Sequence, residues 1–234
     1  MAISICGGGV IVSTFYNEDC MEGMKRYPDK FFDLAIVDPP YGIGNFVQVS
    51  GNVRGAAVAW NDSIPSKEYF TELERVSKER IIWGANYYNC FNNKGGAIVW
   101  WKHVPPESNL SECEIASYSR LKRVAFVDLR WQNIGRSETT IHPCQKPVAL
   151  YKWLLNNYAK QGDKILDTHV GSASSLIACH QMGFDYVGFE IDADYYRMAS
   201  ERLEKAKSQQ TIFELPTEQI EKQTLFDVCN RCRT

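Results

Sequence analysis

No apolar stretch in this chain of 234 residues approaches the length needed to span a bilayer. Its first residues, MAISICGGGVIVS, have neither a basic start nor a sustained apolar run, so no secretory signal is expected. A strong charge of one sign is also missing. The formal net charge is -2, which leaves any nucleic-acid contact to a local basic surface. No Lys-Ser/Thr pair follows Gly7 to Gly9, which excludes a phosphate-binding loop there. The full G-x-G-x-x-G fingerprint is absent, which counts against a nicotinamide-dependent dehydrogenase. Cys229 and Cys232 form a lone CxxC with no second pair, so no metal ligands are assigned. The eight cysteines sit in a chain too long and core-rich for a disulfide scaffold, and reduced thiols in a cytoplasm are expected. No internal repeat is visible.

What is present is a chain long enough for one substantial core, with 44% hydrophobic residues. Short apolar runs alternate with longer amphipathic stretches, which predicts an α/β sheet protein. Strands are expected at 11–15, 33–37, 80–84, 96–101, 113–118, 123–127, 163–167 and 185–190. Helices are expected at 66–78, from Pro147 onward, and at about 173–182 and 193–207. Residues 42–62 are glycine-rich without a period, and a loop of that length is usually functional or disordered. From about Ser208 the chain turns polar with a few isolated apolar residues, which predicts a domain over 1–208 and a C-terminal tail over 209–234.

That chemistry is suggested by FFDLAIVDPPY at 31–41, an apolar run that ends in an acid, two prolines and an aromatic ring. In open α/β sheets, ligands bind beyond the carboxyl ends of strands. The prolines hold Asp38 and Pro39 rigidly and offer no N–H, so the stretch presents acceptors: the Asp38 carboxylate and nearby carbonyls. Tyr41, after Pro40, adds a flat face for stacking. The set suits a planar group bearing an NH2. Two acceptors, one on each hydrogen, favour a pyramidal nitrogen and aim its lone pair at an electrophile.

A second constellation, DKILDTHVGSASS at 163–175, reads as a strand, an acid and a small-residue turn into a helix. Gly171 permits close approach of a ligand to the backbone. Glu190, about twenty residues later at the end of YVGFE, has the spacing of an acid that binds ribose hydroxyls. Together they indicate a nucleotide-like cofactor. His142 and Lys146, in HPCQKP, stand just before a proline-started helix, where they can meet an anionic group. Residues 120–146 hold six basic residues (Arg120, Lys122, Arg123, Arg130, Arg136 and Lys146) against the acids Asp128 and Glu138. With Trp131, Gln132 and Asn133, this is the stretch expected to face DNA, the alternative being a solvated basic face.

DPPY, then HPxQKP, then an acid-x-x-x-Gly-Ser turn, then GFEID resembles the β group of S-adenosylmethionine-dependent DNA amino-methyltransferases. IIWGANYY at 81–88, GAIVWWK at 96–102 and SECEIASYS at 111–119 match as well, so the likeness spans roughly residues 10–207. It implies a Rossmann-like methyltransferase fold with a mostly parallel central sheet and helices on both faces. The motif order would be circularly permuted, with the catalytic motif before the cofactor motif. By this resemblance Asp38 and the Pro39 carbonyl bind the target amino group, and Tyr41 stacks on the flipped base. Asp167, Gly171 and Ser172 line the S-adenosylmethionine pocket, with Glu190 on the ribose and Asp19 near the adenine. His142 and Lys146 lie near the methionine portion. The resemblance further implies DNA as partner, a possible homodimer and no membrane contact. It also implies a methyltransferase domain over 1–208 with a short recognition insert at about 120–141. Arg54 in the glycine-rich loop joins Lys122, Arg123, Arg130 and Arg136 as a DNA-contact candidate. Adenine N6 is favoured by the acid at the head of DPPY. Cytosine N4, or a DNA-binding relative without activity, are the alternatives. The cofactor turn, Asp167-Thr168-His169-Val170-Gly171-Ser172-Ala173, departs from the family in having His169 where an aromatic and Ala173 where a second glycine are usual; His169 either replaces the aromatic by stacking or is an ordinary loop histidine.

Overall fold

The run LAIV at 34–37 is unbroken in its hydrophobicity because it lies in a strand buried on both faces. Leu34 and Ile36 join one core layer, and Ala35 and Val37 join the other. The computed structural model describes residues 13–43, 63–91, 95–105, 107, 110–120, 122–131, 140–142 and 144–213. Along the chain its elements are β1 (Thr14–Asn17), α1 (Cys20–Met24), β2 (Phe32–Val37), α2 (Lys67–Val76), β3 (Ser77–Trp83), α3 (Ala85–Tyr88) and β4 (Ala97–Trp101). They continue with β5 (Cys113–Tyr118), β6 (Val124–Asp128), α4 (Val148–Tyr158), β7 (Lys164–Asp167), α5 (Ser174–Gln181), β8 (Asp185–Glu190) and α6 (Ala193–Phe213).

The strands form one sheet in the order β1-β8-β7-β2-β3-β5-β4-β6. Every neighbouring pair is parallel except those of β5, which runs against both β3 and β4. Leu150 and Leu154 of α4, Leu176 of α5 and Leu203 of α6 pack on one face. Met24 of α1 and Leu73 and Val76 of α2 pack on the other. Each such fully buried side chain contributes about 1.5–3 kcal/mol, which makes this two-sided burial the main source of cohesion. The α/β architecture with helices on both faces is the one the sequence predicts.

Adjacent β2 and β7 lead away in opposite directions, β2 toward β3 and β7 toward β8. The strand order reverses between them, and that reversal opens the crevice in which such sheets bind ligands. Both sequence constellations, Asp38 after β2 and Asp167 at the end of β7, stand at this point.

Several boundaries differ from expectation. The first strand runs over Thr14–Asn17, and Ile11 and Val12 of its expected span lie outside the described residues; α2 stops at Val76, and β3 follows from Ser77 with no loop between them. Helices α1 and α3 were not expected, because five and four residues are too few for a helical period to register. Asp19 caps α1 by accepting a 2.8 Å bond from the Met21 N–H. Helix α6 continues to Phe213, so the boundary expected at 208 falls inside a helix. Most of the 42–62 loop, Gly7 to Gly9 and the Cys229/Cys232 pair lie outside the described residues. No helix among the described residues is long and apolar enough to cross a membrane.

Candidate active site

Directly beyond β2, the Asp38 carboxylate is held at both oxygens. Oδ1 accepts a 2.6 Å bond from the Tyr41 hydroxyl, and Oδ2 accepts one from the Lys146 ammonium. Lys146 Nζ also lies 2.9 Å from Glu114 Oε2 and 3.2 Å from the Tyr41 hydroxyl. Glu114 Oε1 in turn meets Lys102 Nζ at 3.0 Å. Burial pushes the Asp38 pKa up; Lys146 opposes this and the Glu114 carboxylate adds to it, leaving a net rise. For Glu114 burial acts the same way, but the two ammonium groups outweigh it and hold the carboxyl down to about 2. Lys146, penalised by burial, is raised on balance by Asp38 and Glu114.

Lys146 thus stands beside Asp38. Only 4% of its side chain is exposed, and it turns to the Asp38 side of the crevice, because an ammonium this buried requires carboxylate partners. The Tyr41 ring stacks on Tyr87, with centroids 4.9 Å apart and planes 16° from parallel. The Tyr88 hydroxyl donates to the carbonyls of Pro39 and, at 2.9 Å, of Pro40. Two carbonyls that prolines leave without neighbouring N–H groups thus share one hydroxyl.

Across the crevice, the turn after β7 is closed by Asp167. Its carboxylate accepts from the His169 N–H at 3.0 Å and from the Ser175 hydroxyl. Burial pushes Asp167 up to about 7 against the pull of those two bonds. Gly171, at φ +54°, donates its N–H to Glu190 Oε2 at 2.8 Å, and Asp192 N–H reaches Oε1 at 3.0 Å. A Cβ on Gly171 would stand 3.7 Å from the His142 ring, which itself meets Tyr195 edge-on at 4.5 Å. Burial, then Lys146, lowers the His142 pKa to about 4, so the ring is neutral at neutral pH. Beside Glu190, the side chain of Ile191 is 66% exposed, an open apolar face next to a carboxylate.

The remaining turn residues are placed differently from one another. His169 bonds to the Thr168 hydroxyl at 2.9 Å and packs edge-on against Tyr69, 5.4 Å between centroids. Its burial lowers its pKa to about 4. Ser172 points inward to the Ser174 hydroxyl at 3.1 Å. Ala173 keeps φ +62°, so the left-handed turn survives without glycine at a strain of about 1–3 kcal/mol. Asp19 sits at the start of α1, close after β1, the sheet-edge neighbour of β8.

The basic residues divide by position. Lys122 and Arg123 are exposed just before β6, at the amino end of the parallel strands, and Arg120 there pairs with Glu79 at 3.2 Å. Five residues of strand, roughly 16 Å, separate them from the level of Asp38. β6 pairs in parallel with β4, which fixes the start of β6, and with it Lys122 and Arg123, at the end of the sheet away from Asp38. Exposed Arg130 follows β6 at the catalytic end, where Trp131 N–H donates to the Lys102 carbonyl at 3.0 Å. Arg54 and Arg136 lie outside the described residues.

Sequence reasoning passed over Lys102, Glu114, Gly84 and Tyr88. A signal for the first two existed. Ile98, Trp100 and Lys102 alternate on the buried face of β4, as Glu114, Ala116 and Tyr118 do on β5. A charge at an inward position of an apolar strand demands a partner.

A family model described as DNA methylase matches residues 82–201. The chain is 35% identical to type II methyltransferase M2.DpnII of Streptococcus pneumoniae, with 85% of this chain and 95% of the relative covered. It is 26% identical to the putative methylase YubD of Escherichia coli K12, covering 82% and 90% respectively. Among solved structures it resembles M1.HpyAVI in complex with SAM, with a TM-score of 0.52, 18% identity, and 80% and 98% coverage. It also resembles the cytosine-N4-specific PvuII DNA methyltransferase, with a TM-score of 0.57, 11% identity, and 85% and 91% coverage. At these identities the two structures speak for the fold.

Proposed function

The chain belongs to the DNA methylase family that acts on N6 or N4 amino groups, and on that premise we propose that it methylates N6 of adenine in DNA. S-adenosylmethionine supplies the electrophilic methyl carbon, carried on a charged sulfonium. The crevice fits that group. Gly171 leaves an open cradle beside His142, Glu190 retains lone pairs for ribose hydroxyls, and exposed Ile191 offers an apolar face for a purine ring. Asp167 keeps the cradle closed from behind, and Asp19 and His169 border it.

On the other side, the Asp38 carboxylate and the Pro39 carbonyl are acceptors for the two hydrogens of the amino group. That arrangement frees the nitrogen lone pair for attack. Asp38, with its pKa raised by burial, is also the group in reach for the proton that the nitrogen releases. Tyr41 stacks on the base, which leaves the duplex at a cost of a few kcal/mol that stacking and hydrogen bonds offset. Arg130 is the phosphate contact among the described residues, with Arg54 and Arg136 as further candidates. The acid at the head of DPPY favours adenine over cytosine. The domain is proposed to run through α6, with the recognition insert at about 120–141. Pairing of two chains on DNA, in the cytoplasm, belongs to the same proposal. Its support is the shortness of that insert, which leaves few base-edge contacts per chain.

One observation carries the reading: Asp38-Pro39-Pro40-Tyr41 and the Gly171 turn leave adjacent strands at the point where the sheet order reverses. The test is incubation with labelled S-adenosylmethionine and unmethylated DNA, followed by nucleoside mass spectrometry. N6-methyladenine is expected. N4-methylcytosine would reassign the base, and no methylated nucleoside would overturn the proposal.

A further inference from the structure

Glu114 meets the catalytic half from behind, 2.9 Å from the Lys146 ammonium and accepting from the Tyr41 hydroxyl at 3.3 Å, and Lys102 lies one contact further in. Four ionised side chains alternate in sign from the catalytic motif inward: Asp38, Lys146, Glu114, Lys102. They come from four separate places: the end of β2, the segment before α4, the start of β5 and the end of β4. Their charges sum to zero. Side-chain exposures run from 4% at Lys146 to 20% at Glu114, so bulk water compensates little for any missing member.

An ammonium has three donors on a flexible stem, and a single carboxylate does not fix its direction. In this row Lys146 spends one donor on Asp38 and one on Glu114, with the Tyr41 hydroxyl at 3.2 Å as a third neighbour. Glu114 is fixed in turn by Lys102 on its other oxygen at 3.0 Å. Lys102 is anchored by the strand, its N–H bonded to the Glu112 carbonyl at 2.9 Å and its carbonyl to the Trp131 N–H. Buried pairs of this kind return little net stability, so stability alone does not account for the arrangement.

We propose that Lys102 and Glu114 are positioning residues that hold the Lys146 ammonium against Asp38, fixing the direction in which the Asp38 carboxylate faces the amino group of the base. The inference rests on the proposed methyl transfer. Removing Lys102 frees Glu114 to draw Lys146 away from Asp38. Removing the Glu114 charge leaves two buried cations with one carboxylate. Removing both charges together leaves the Lys146–Asp38 pair balanced, and a glutamine at 114 still offers a carbonyl to Lys146.

The experiment is a double-substitution cycle in the full chain: Lys102→Met, Glu114→Gln and the two combined. It is read as kcat and KM for methyl transfer to DNA, S-adenosylhomocysteine affinity by calorimetry, and thermal unfolding. Each single change is expected to lower kcat about 10- to 100-fold. KM and S-adenosylhomocysteine affinity should stay within about twofold, because the cofactor turn is untouched. The double variant should recover at least about tenfold over the weaker single variant, a non-additivity that simple loss of packing does not produce. If a single variant fails to fold, the same recovery is expected in melting temperature. Losses that add, in rate and in melting temperature alike, would overturn the inference while an active wild type preserves the methylation reading. A wild type that yields no methylated nucleoside would overturn both.

Discussion

A Cβ on Gly84 would lie 2.4 Å from Cε1 of the Tyr41 ring. Gly84 also holds φ +73°, a region that side-chain-bearing residues adopt only under strain. The residue that precedes α3 is therefore a glycine for two reasons, and one of them is the position of a catalytic-motif ring. Gly84→Ala is expected to displace Tyr41 and lower kcat about 100-fold or more. S-adenosylhomocysteine affinity should stay within about threefold, because the cofactor turn lies on another strand. Parallel methyl-transfer and calorimetric measurements check this; an alanine variant with normal turnover would refute it.

The Tyr88 hydroxyl serves both prolyl carbonyls of the same motif, and its ring packs against Phe70 of α2 with centroids 5.5 Å apart. Tyr88→Phe keeps that packing and removes only the donor. The expected result is a fall in kcat of about 10-fold, with melting temperature lowered by no more than about 1 kcal/mol in equivalent stability. Steady-state kinetics and thermal unfolding of one preparation decide it. A large loss of stability with unchanged kcat would mean that the hydroxyl supports the fold and not the site.

These two residues also mark the limit of what the sequence made legible. The apolar run LAIV and its DPPY terminus announce a central strand and its ligand end, because burial on both faces leaves an unmistakable pattern. Glu190 was recognisable by spacing alone, and its carboxylate does meet the Gly171 turn. The pairing of Lys146 with Glu114, a residue 32 positions earlier on the sheet's antiparallel strand, is set by the fold and not by local sequence. Lys122 and Arg123 were grouped with Arg130 by composition, while the direction of β6 separates them. Pairwise geometry between distant strands has no local signature.

Asp167 yields a prediction about stability and pH. In the unfolded chain its carboxyl ionises near 3.9, and in the folded chain burial pushes it up to about 7. Between these values the unfolded chain has released the proton and the folded chain has kept it. Stability therefore falls as pH rises through that window, and the full cost, at most about 4 kcal/mol, stands above pH 7. Asp167→Asn retains an acceptor for the His169 N–H and removes the titration. Its melting temperature should exceed that of the wild type at pH 8 and fall at or below it at pH 4. Equal differences at both pH values would rule out a raised carboxyl.

Glu190 accepts two backbone bonds and so shapes the turn that it also equips for a ligand. Glu190→Gln preserves size but sets an amide NH2 against the N–H of Gly171 or of Asp192. S-adenosylhomocysteine affinity should fall by about 1.5–3 kcal/mol, the range of hydrogen bonds to a charged group. Turnover at saturating cofactor should change less. Titration calorimetry gives the first quantity and saturation kinetics the second; unchanged affinity would mean that the ribose is held elsewhere.

The two groups of basic residues make opposite predictions for DNA. Arg130 is exposed just past the end of β6 that adjoins Lys102, at the same end of the parallel strands as Asp38. Lys122 and Arg123 occupy the opposite end of that strand. A duplex whose base enters the crevice beside Asp38 reaches the first position and not the second. Arg130→Ala should weaken DNA binding and reduce the slope of log affinity against log salt by about 1, the signature of one lost phosphate contact. Lys122→Ala and Arg123→Ala should leave both quantities unchanged within error. Anisotropy titrations of a labelled duplex at four or five salt concentrations measure both. If Lys122→Ala lowered the slope as much as Arg130→Ala, the duplex would have to contact the amino end of the sheet, and the proposed approach of the base to Asp38 would be wrong.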